Sequence, residues 1–227
     1  MPTQFKYALF DLDNTLVDRV EAVRQLGAQL YDSDLIDKSA ITKQKAAELF
    51  TEFDKDGYQP DKLKFFTQVA AAWGDMKRSP IALTDWYQEA PRDWFEPDPQ
   101  VVQLMASITS SDVLWGIISN GQPVQHEKIR LMHLDVGATC ILVSATFGVS
   151  KPDPSIFNAA LEALGNPPSN EVLFVGDNPE ADIGGARNVG MKTAWLTRNR
   201  QWPTNLTPPD YTLDSILEVR PLLALNQ

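Results

Sequence analysis

Two carboxylates, Asp11 and Asp13, stand directly after the apolar run Tyr7-Ala8-Leu9-Phe10. Acids do not extend a buried strand cheaply, so the pair either marks a turn that caps a helix or performs chemistry. Along a strand, residues i and i+2 face the same side. At the carboxyl end of a central parallel strand, both would enter the crevice where open α/β sheets bind ligands. Carboxylates that close repel one another, and a cation or a raised pKa must offset the repulsion. A hard divalent ion such as Mg2+, which takes oxygen ligands, meets that need.

Three further stretches follow apolar runs in the same way. "GDNPEAD", Gly176 to Asp182, places Asp177 after Val172–Val175 and Asp182 five residues on. An N-cap and an early helical acid would explain both, but acids after two different strands also supply a metal site from separate parts of the chain. "SKPDP" holds Lys151 before Pro152, which biases it towards an extended backbone. Its ammonium could then neutralise a phosphate oxygen or pin a nucleophilic carboxylate, although a surface lysine is the plain alternative. "IISNG", Ile117 to Gly121, holds Ser119 and Asn120, whose hydroxyl and backbone N–H groups suit an anion, although Ser-Asn-Gly is equally an ordinary turn.

The elements that must position these residues are short. Tyr7–Phe10, Val113–Ile118, Cys140–Val143, Val172–Val175 and Thr193–Leu196 have the length of strands buried on both faces. Helical patterns over Pro123–Leu134, Pro154–Leu164 and Pro179–Val189 alternate with the later strands; Asp153-Pro154 is an N-terminal signal and Gly190 a C-terminal one. This alternation predicts an α/β fold, a doubly wound parallel sheet. Residues 17–95 differ. Phe66, Val69, Ala70 and Trp73, and likewise Ala46, Leu49, Phe50 and Phe53, recur at helical spacing. With breaks at Asp32-Ser33-Asp34, Asp56-Gly57 with Pro60, and Ser79-Pro80, they predict an inserted bundle of about four helices. The expected division is a core of residues 1–16 and 96–227 and a helical domain of residues 17–95. The tail should form an edge strand near Tyr211-Thr212 and a short final helix.

The four motifs taken together, in the order Asp-x-Asp, Ser, Lys and Gly-Asp-x-x-x-x-Asp, closely resemble those of the haloacid dehalogenase (HAD) superfamily. The resemblance spans about residues 5–200, and "ADIGGARNVGMKTAWLTR" is similar to the segment that follows the fourth motif. It implies a Rossmann-like core with an all-α cap, and an aspartate-nucleophile phosphatase. By that resemblance Asp11 attacks phosphorus and Asp13 is the acid and base. Thr15, Ser119, Asn120 and Lys151 bind the phosphoryl group. Mg2+ is held by Asp11, the Asp13 carbonyl and Asp177, with Asp182 either a direct ligand or a support for one. Superfamily members that displace halide lack an acid at the Asp13 position, so Asp13 argues for phosphoryl chemistry. The pattern is closest to nucleotidase-like and phosphoglycolate-phosphatase-like members, with Arg19 and Arg24 as candidate specificity contacts by position alone.

Composition narrows the rest. The chain has 227 residues, 43% of them hydrophobic, and a net charge of −10, which argues against nucleic acid or an anionic membrane surface as a partner. A small phosphorylated metabolite is the expected partner, with the chain a monomer or homodimer. The single cysteine, Cys140, lies in an apolar run and reads as structural. His126 and His133 are expected on one face of one helix, with no catalytic part. The N-terminus has no long apolar segment, so a cytoplasmic location is expected. Alternatives are a phosphomutase, a phosphonate hydrolase that would need a Schiff-base lysine from the insert, and, last, a non-catalytic binding module.

Overall fold

The computed structural model describes residues 4–33, 35–39, 41–55, 61–74, 76–89 and 97–225. The chain divides into two compact units, Met1–Val17 with Pro97–Gln227, and Asp18–Glu96. In the first, β1 (Tyr7–Phe10), β2 (Leu114–Ser119), β3 (Cys140–Val143), β4 (Val172–Gly176), β5 (Lys192–Leu196) and β6 (Tyr211–Leu213) form one sheet. Their order is β3-β2-β1-β4-β5-β6, and every pairing is parallel. The chain starts in the middle and winds outward both ways, so strand order reverses at β1. β4 is buried at every position, and in β1 Ala8, Leu9 and Phe10 are fully enclosed. That is why these strands read as continuous apolar runs without alternation.

Helices of the second unit are α1 (Arg19–Asp32), α2 (Lys43–Asp54), α3 (Lys62–Trp73) and α4 (Pro80–Glu89). The first three begin at Asp18, Thr42 and Asp61, whose side chains accept from backbone N–H groups of their own first turns. Phe50 meets Phe65, Phe66 and Trp73 edge-on, so the aromatic stripe is the core of this unit. Gly27 lets α1 approach α2: a Cβ there would lie 2.9 Å from the Ala46 carbonyl oxygen. The predicted breaks at Asp34 and at Asp56-Gly57 with Pro60 lie outside the described residues.

Flanking the sheet are α5 (Pro99–Thr109), α6 (Val124–Leu131), α7 (Ser144–Phe147), α8 (Pro154–Ala163) and α9 (Gly185–Asn188), with a π turn at Pro179–Gly184 before α9. Leu9, Ile118 and Phe174 of the sheet pack against Ile156, Phe157 and Ala160 of α8. Two expectations are corrected. α6 ends at Leu131, and His133 lies beyond it with φ +56°, so the two histidines do not share a helix face. The segment Pro179–Val189 is not one α-helix: it is a π turn over Pro179–Gly184 followed by the short α-helix Gly185–Asn188. The final helix, Ile216–Leu222, is a 3-10 helix. No helix among the described residues is long and apolar enough to cross a membrane.

Candidate active site

Strand register brings the motif residues to one level. Phe10 pairs with Ile117 and with Val175, so Asp11, Ser119 and Asp177 fall within one residue of each other at the carboxyl ends of β1, β2 and β4. The Asp11 N–H still bonds the Val175 carbonyl at 2.9 Å, and then the chain turns. The Leu12 carbonyl accepts from Thr15, Leu16 and Val17, and Asn14 takes a left-handed φ of +61°. Asp13 therefore lies on a turn, not a strand, and the i, i+2 argument does not place it. Asp11 and Asp13 turn to different partners.

Asp11 belongs to a buried charged cluster. Lys151 Nζ donates to Asp11 Oδ1 at 2.6 Å and to the Ile118 carbonyl at 2.7 Å, and pairs with Asp182 Oδ1 at 2.7 Å. The backbone of Lys151 is clamped by Asn120, whose Nδ2 donates to its carbonyl at 2.9 Å and whose Oδ1 accepts from its N–H at 2.8 Å. The Asn120 side chain thus positions Lys151. Thr15 Oγ1 donates to Asp11 Oδ2 at 3.2 Å.

Asp182 comes close because residue 176 has no side chain. A Cβ at Gly176 would lie 2.5 Å from Asp182 Oδ2, inside any van der Waals contact. The Asn178 N–H donates to the same oxygen at 2.9 Å. Asp177 is held from outside by Arg200, whose Nη2 donates to its carbonyl at 2.7 Å and to Oδ2 at 2.8 Å; Trp195 Nε1 donates to the same carbonyl at 2.8 Å.

Carboxylate oxygens of Asp11, Asp177 and Asp182, all buried, lie within 4.8 Å of one another. Burial pushes the Asp11 carboxyl well above its usual range; the Lys151 charge opposes this, and Asp182 and Asp177 add to it. Burial and Asp182 push Asp177 up to about 7 against the pull of Arg200. Burial alone would lower the Lys151 pKa, but the Asp11 and Asp182 charges outweigh it and raise it, so the ammonium persists. Three acids face two cations here, Lys151 and Arg200. An all-oxygen set in excess of its counter-charge is the donor chemistry a hard divalent cation takes, so the residues fit Mg2+.

Asp13 sits beside this cluster with two partners absent from the sequence reading. Lys128 Nζ donates to its Oδ1 at 2.6 Å, and Gln125 Nε2 donates to its Oδ2 at 2.7 Å and to Ser119 Oγ at 2.9 Å. Nothing in the sequence pairs residues more than a hundred positions apart; the one local signal was that Gln125 and Lys128 are three apart and share a face of α6. Arg200, beyond the last motif, carried no signal. Arg19 is engaged inside the helical unit, where Nη2 meets Asp54 Oδ1 at 2.7 Å and Lys62 shares the same carboxylate at 3.1 Å. Arg24 is exposed and pairs with Glu21 at 3.6 Å.

Comparison with known proteins agrees with this arrangement. The family described as haloacid dehalogenase-like hydrolase matches residues 8–196. A glyceraldehyde 3-phosphate phosphatase of Pyrococcus furiosus is 36% identical over 224 residues, 97% of this chain and 92% of that protein. The pyrimidine 5'-nucleotidase YjjG of Escherichia coli K12 is 33% identical over 155 residues, 67% of this chain and 68% of that one. The HAD-hydrolase YfnB of Bacillus subtilis, solved bound to magnesium, shares the fold with a TM-score of 0.80 at 20% identity, over 98% of this chain and 100% of that one. With a match running from β1 through β5 and a relative spanning nearly its whole length, the chain belongs to the haloacid dehalogenase-like hydrolase family.

Proposed function

We propose that the chain is a Mg2+-dependent phosphatase that hydrolyses a small phosphomonoester through an aspartyl-phosphate on Asp11. The observation that carries this is the meeting of Asp11, Asp177, Asp182 and Lys151 from three separate stretches of chain, with an acid, Asp13, beside them. Two relatives named for phosphatase and nucleotidase activity support the reaction class.

The chain's own residues divide the work. Lys151 orients the Asp11 carboxylate and neutralises incoming phosphoryl charge. Ser119 and the backbone N–H groups near Leu12 and Asn120 hold phosphoryl oxygens, while Thr15 donates to the Asp11 carboxylate; Ser119 accepts from Gln125 and so keeps its own hydrogen to donate. In the first step an Asp11 oxygen bonds phosphorus while the ester P–O bond breaks, and Asp13 gives its proton to the leaving oxygen. In the second, water attacks phosphorus, Asp13 takes a proton from it, and the bond from Asp11 to phosphorus breaks to release inorganic phosphate. Splitting the displacement replaces one difficult attack by two easier ones. Asp11, Asp177 and Asp182, with the Asp13 carbonyl, are assigned to Mg2+, which when bound supplies charge neutralisation for the phosphoryl oxygens. The helical unit, inserted in the chain between β1 and α5, is assigned the role of a cap that sets specificity.

The test is phosphate release from a panel of nucleoside monophosphates, glyceraldehyde 3-phosphate, phosphoglycolate and simple alkyl phosphates, with Mg2+ and with EDTA. Wild type should turn over several with Mg2+ and none with EDTA. Asp11→Asn should lose several orders of magnitude yet stay folded; if it matches wild type, the nucleophile assignment is wrong. The nucleotide reading predicts the fastest turnover with nucleoside monophosphates.

A further inference from the structure

We propose that Gln125 and Lys128 are positioning residues for Asp13, and that Gln125 locks the proton-transfer carboxyl to the phosphoryl-binding Ser119. The inference rests on the reading of Asp13 as the acid and base given above.

Both Asp13 oxygens have a protein donor: Lys128 on Oδ1 at 2.6 Å and Gln125 on Oδ2 at 2.7 Å. Two donors, one on each oxygen, fix the carboxyl plane as well as its place. Asp13 needs such a hold more than Asp11 does, because it sits on a turn and not on a strand. The Gln125 amide has two hydrogens, and its nitrogen contacts two acceptors, Asp13 Oδ2 and Ser119 Oγ. A carboxylate can only accept, which fixes the amide orientation. Ser119 ends β2 and Asp13 follows β1, so a single side chain ties together groups from two strands.

The positions of these partners also count. The Lys128 side chain is 3% exposed while that of Asp13 is 21% exposed. A fully desolvated lysine is costly, and an apolar pair would serve packing as well or better. What the ion pair adds is a carboxyl held in one orientation while still reachable. A misplacement of about 1 Å at a reacting group costs roughly 100-fold in rate, so loosening Asp13 should be felt in proton transfer.

Proton transfer gives a readout that packing alone would not move. An alkoxide needs a proton as it leaves; 4-nitrophenolate does not. The experiment measures single-turnover phosphorylation of Asp11 at saturating Mg2+ by rapid quench. It uses 4-nitrophenyl phosphate and the alkyl phosphate that wild type turns over fastest. Wild type, Asp13→Asn, Lys128→Met, Lys128→Arg and Gln125→Leu are compared. The ratio of the two rates on one preparation cancels the folded fraction, and Gln125→Leu, which buries no new charge, keeps the test open if Lys128→Met does not fold. Lys128→Met and Gln125→Leu should lose roughly 10–100-fold with the alkyl ester and only about 3-fold or less with the nitrophenyl ester, the signature expected also of Asp13→Asn. Lys128→Arg should recover most of the alkyl-ester rate. Equal losses with both esters, or no loss with either, overturn the positioning role while leaving the phosphatase reading intact. Wild type that phosphorylates Asp11 from neither ester overturns the phosphatase reading itself.

Discussion

Replacing Gly176 by alanine tests the geometry of the acid cluster without touching a charged group. The added Cβ would lie 2.5 Å from Asp182 Oδ2 and 2.6 Å from its Cβ and Cγ, whereas ordinary contact begins at 3.4 Å. Asp182 must therefore retreat by about 0.9 Å, the difference of 3.4 and 2.5. That is enough to take its 2.7 Å pairing with Lys151 out of hydrogen-bond range. Overpacking a buried site costs ~1–3 kcal/mol, and loss of a charged hydrogen bond adds ~1.5–3 kcal/mol. Together these predict a loss of about 2.5–6 kcal/mol. Urea unfolding in EDTA should show a lower midpoint at unchanged slope, and calorimetric titration should show Mg2+ affinity reduced roughly 10–100-fold. Gly184→Ala is the control: its Cβ would meet nothing nearer than 3.5 Å. If Gly176→Ala unfolds at the wild-type midpoint and binds Mg2+ as tightly, the close packing of Asp182 against residue 176 is wrong.

Mg2+ at 100 times its Kd should stabilise the folded chain by about 2.7 kcal/mol, and Asp177→Asn should abolish most of that gain in a thermal melt; an equal gain in the variant removes Asp177 from the site. In the metal-free protein Asp177 sits at about 7, above its unfolded value, so the folded state holds the extra proton. Its contribution to stability is greatest below pH ~4, declines as pH rises to about 7 and is flat above. The difference between wild-type and Asp177→Asn unfolding free energies should follow that slope. A difference independent of pH between 4 and 7 refutes it. Asp210 runs the other way: burial would raise its pKa, but bonds from Lys192 and Thr193 outweigh this and lower it. Its contribution is present above pH ~4 and lost as pH falls through the depressed folded value. Asp210→Ala should cost ~1–2 kcal/mol at pH 7 through the unpaired Thr193 groups, and progressively less as pH falls through the depressed folded value. A wild-type midpoint at pH 7 would sink that account.

Most of the architecture was legible because the strands are bare apolar runs, buried on both faces in the central β1 and β4. Tyr7–Phe10 and Cys140–Val143 read as bare apolar runs and are strands to the residue. Helix α5 was missed although Asp98-Pro99 repeats the Asp153-Pro154 start of α8, and Asp98 caps it by accepting from the Gln100 N–H. Acids that follow strands could be read because each stands out beside its own apolar run. Gln125, Lys128 and Arg200 could not, since polar residues on a helix or loop look solvated until a distant partner is known. Gln125 and Lys128 are buried, and both donate to Asp13, over a hundred residues away. Arg19 shows the opposite limit: its place early in the insert suggested a substrate contact, and it spends its charge on Asp54.

The pairing of β1 on both sides has a consequence for biosynthesis. Tyr7 aligns with Leu114 on one side and with Val172 on the other. β1 therefore has both edges paired only once β4, which begins at Val172, has been made. The insert from Asp18 to Glu96 is continuous in sequence and its helices pack on near neighbours, so it is free to fold before then. Until β4 arrives, one edge of β1 stays open to strands of other chains. Truncations that stop short of Val172 should be found in the insoluble fraction.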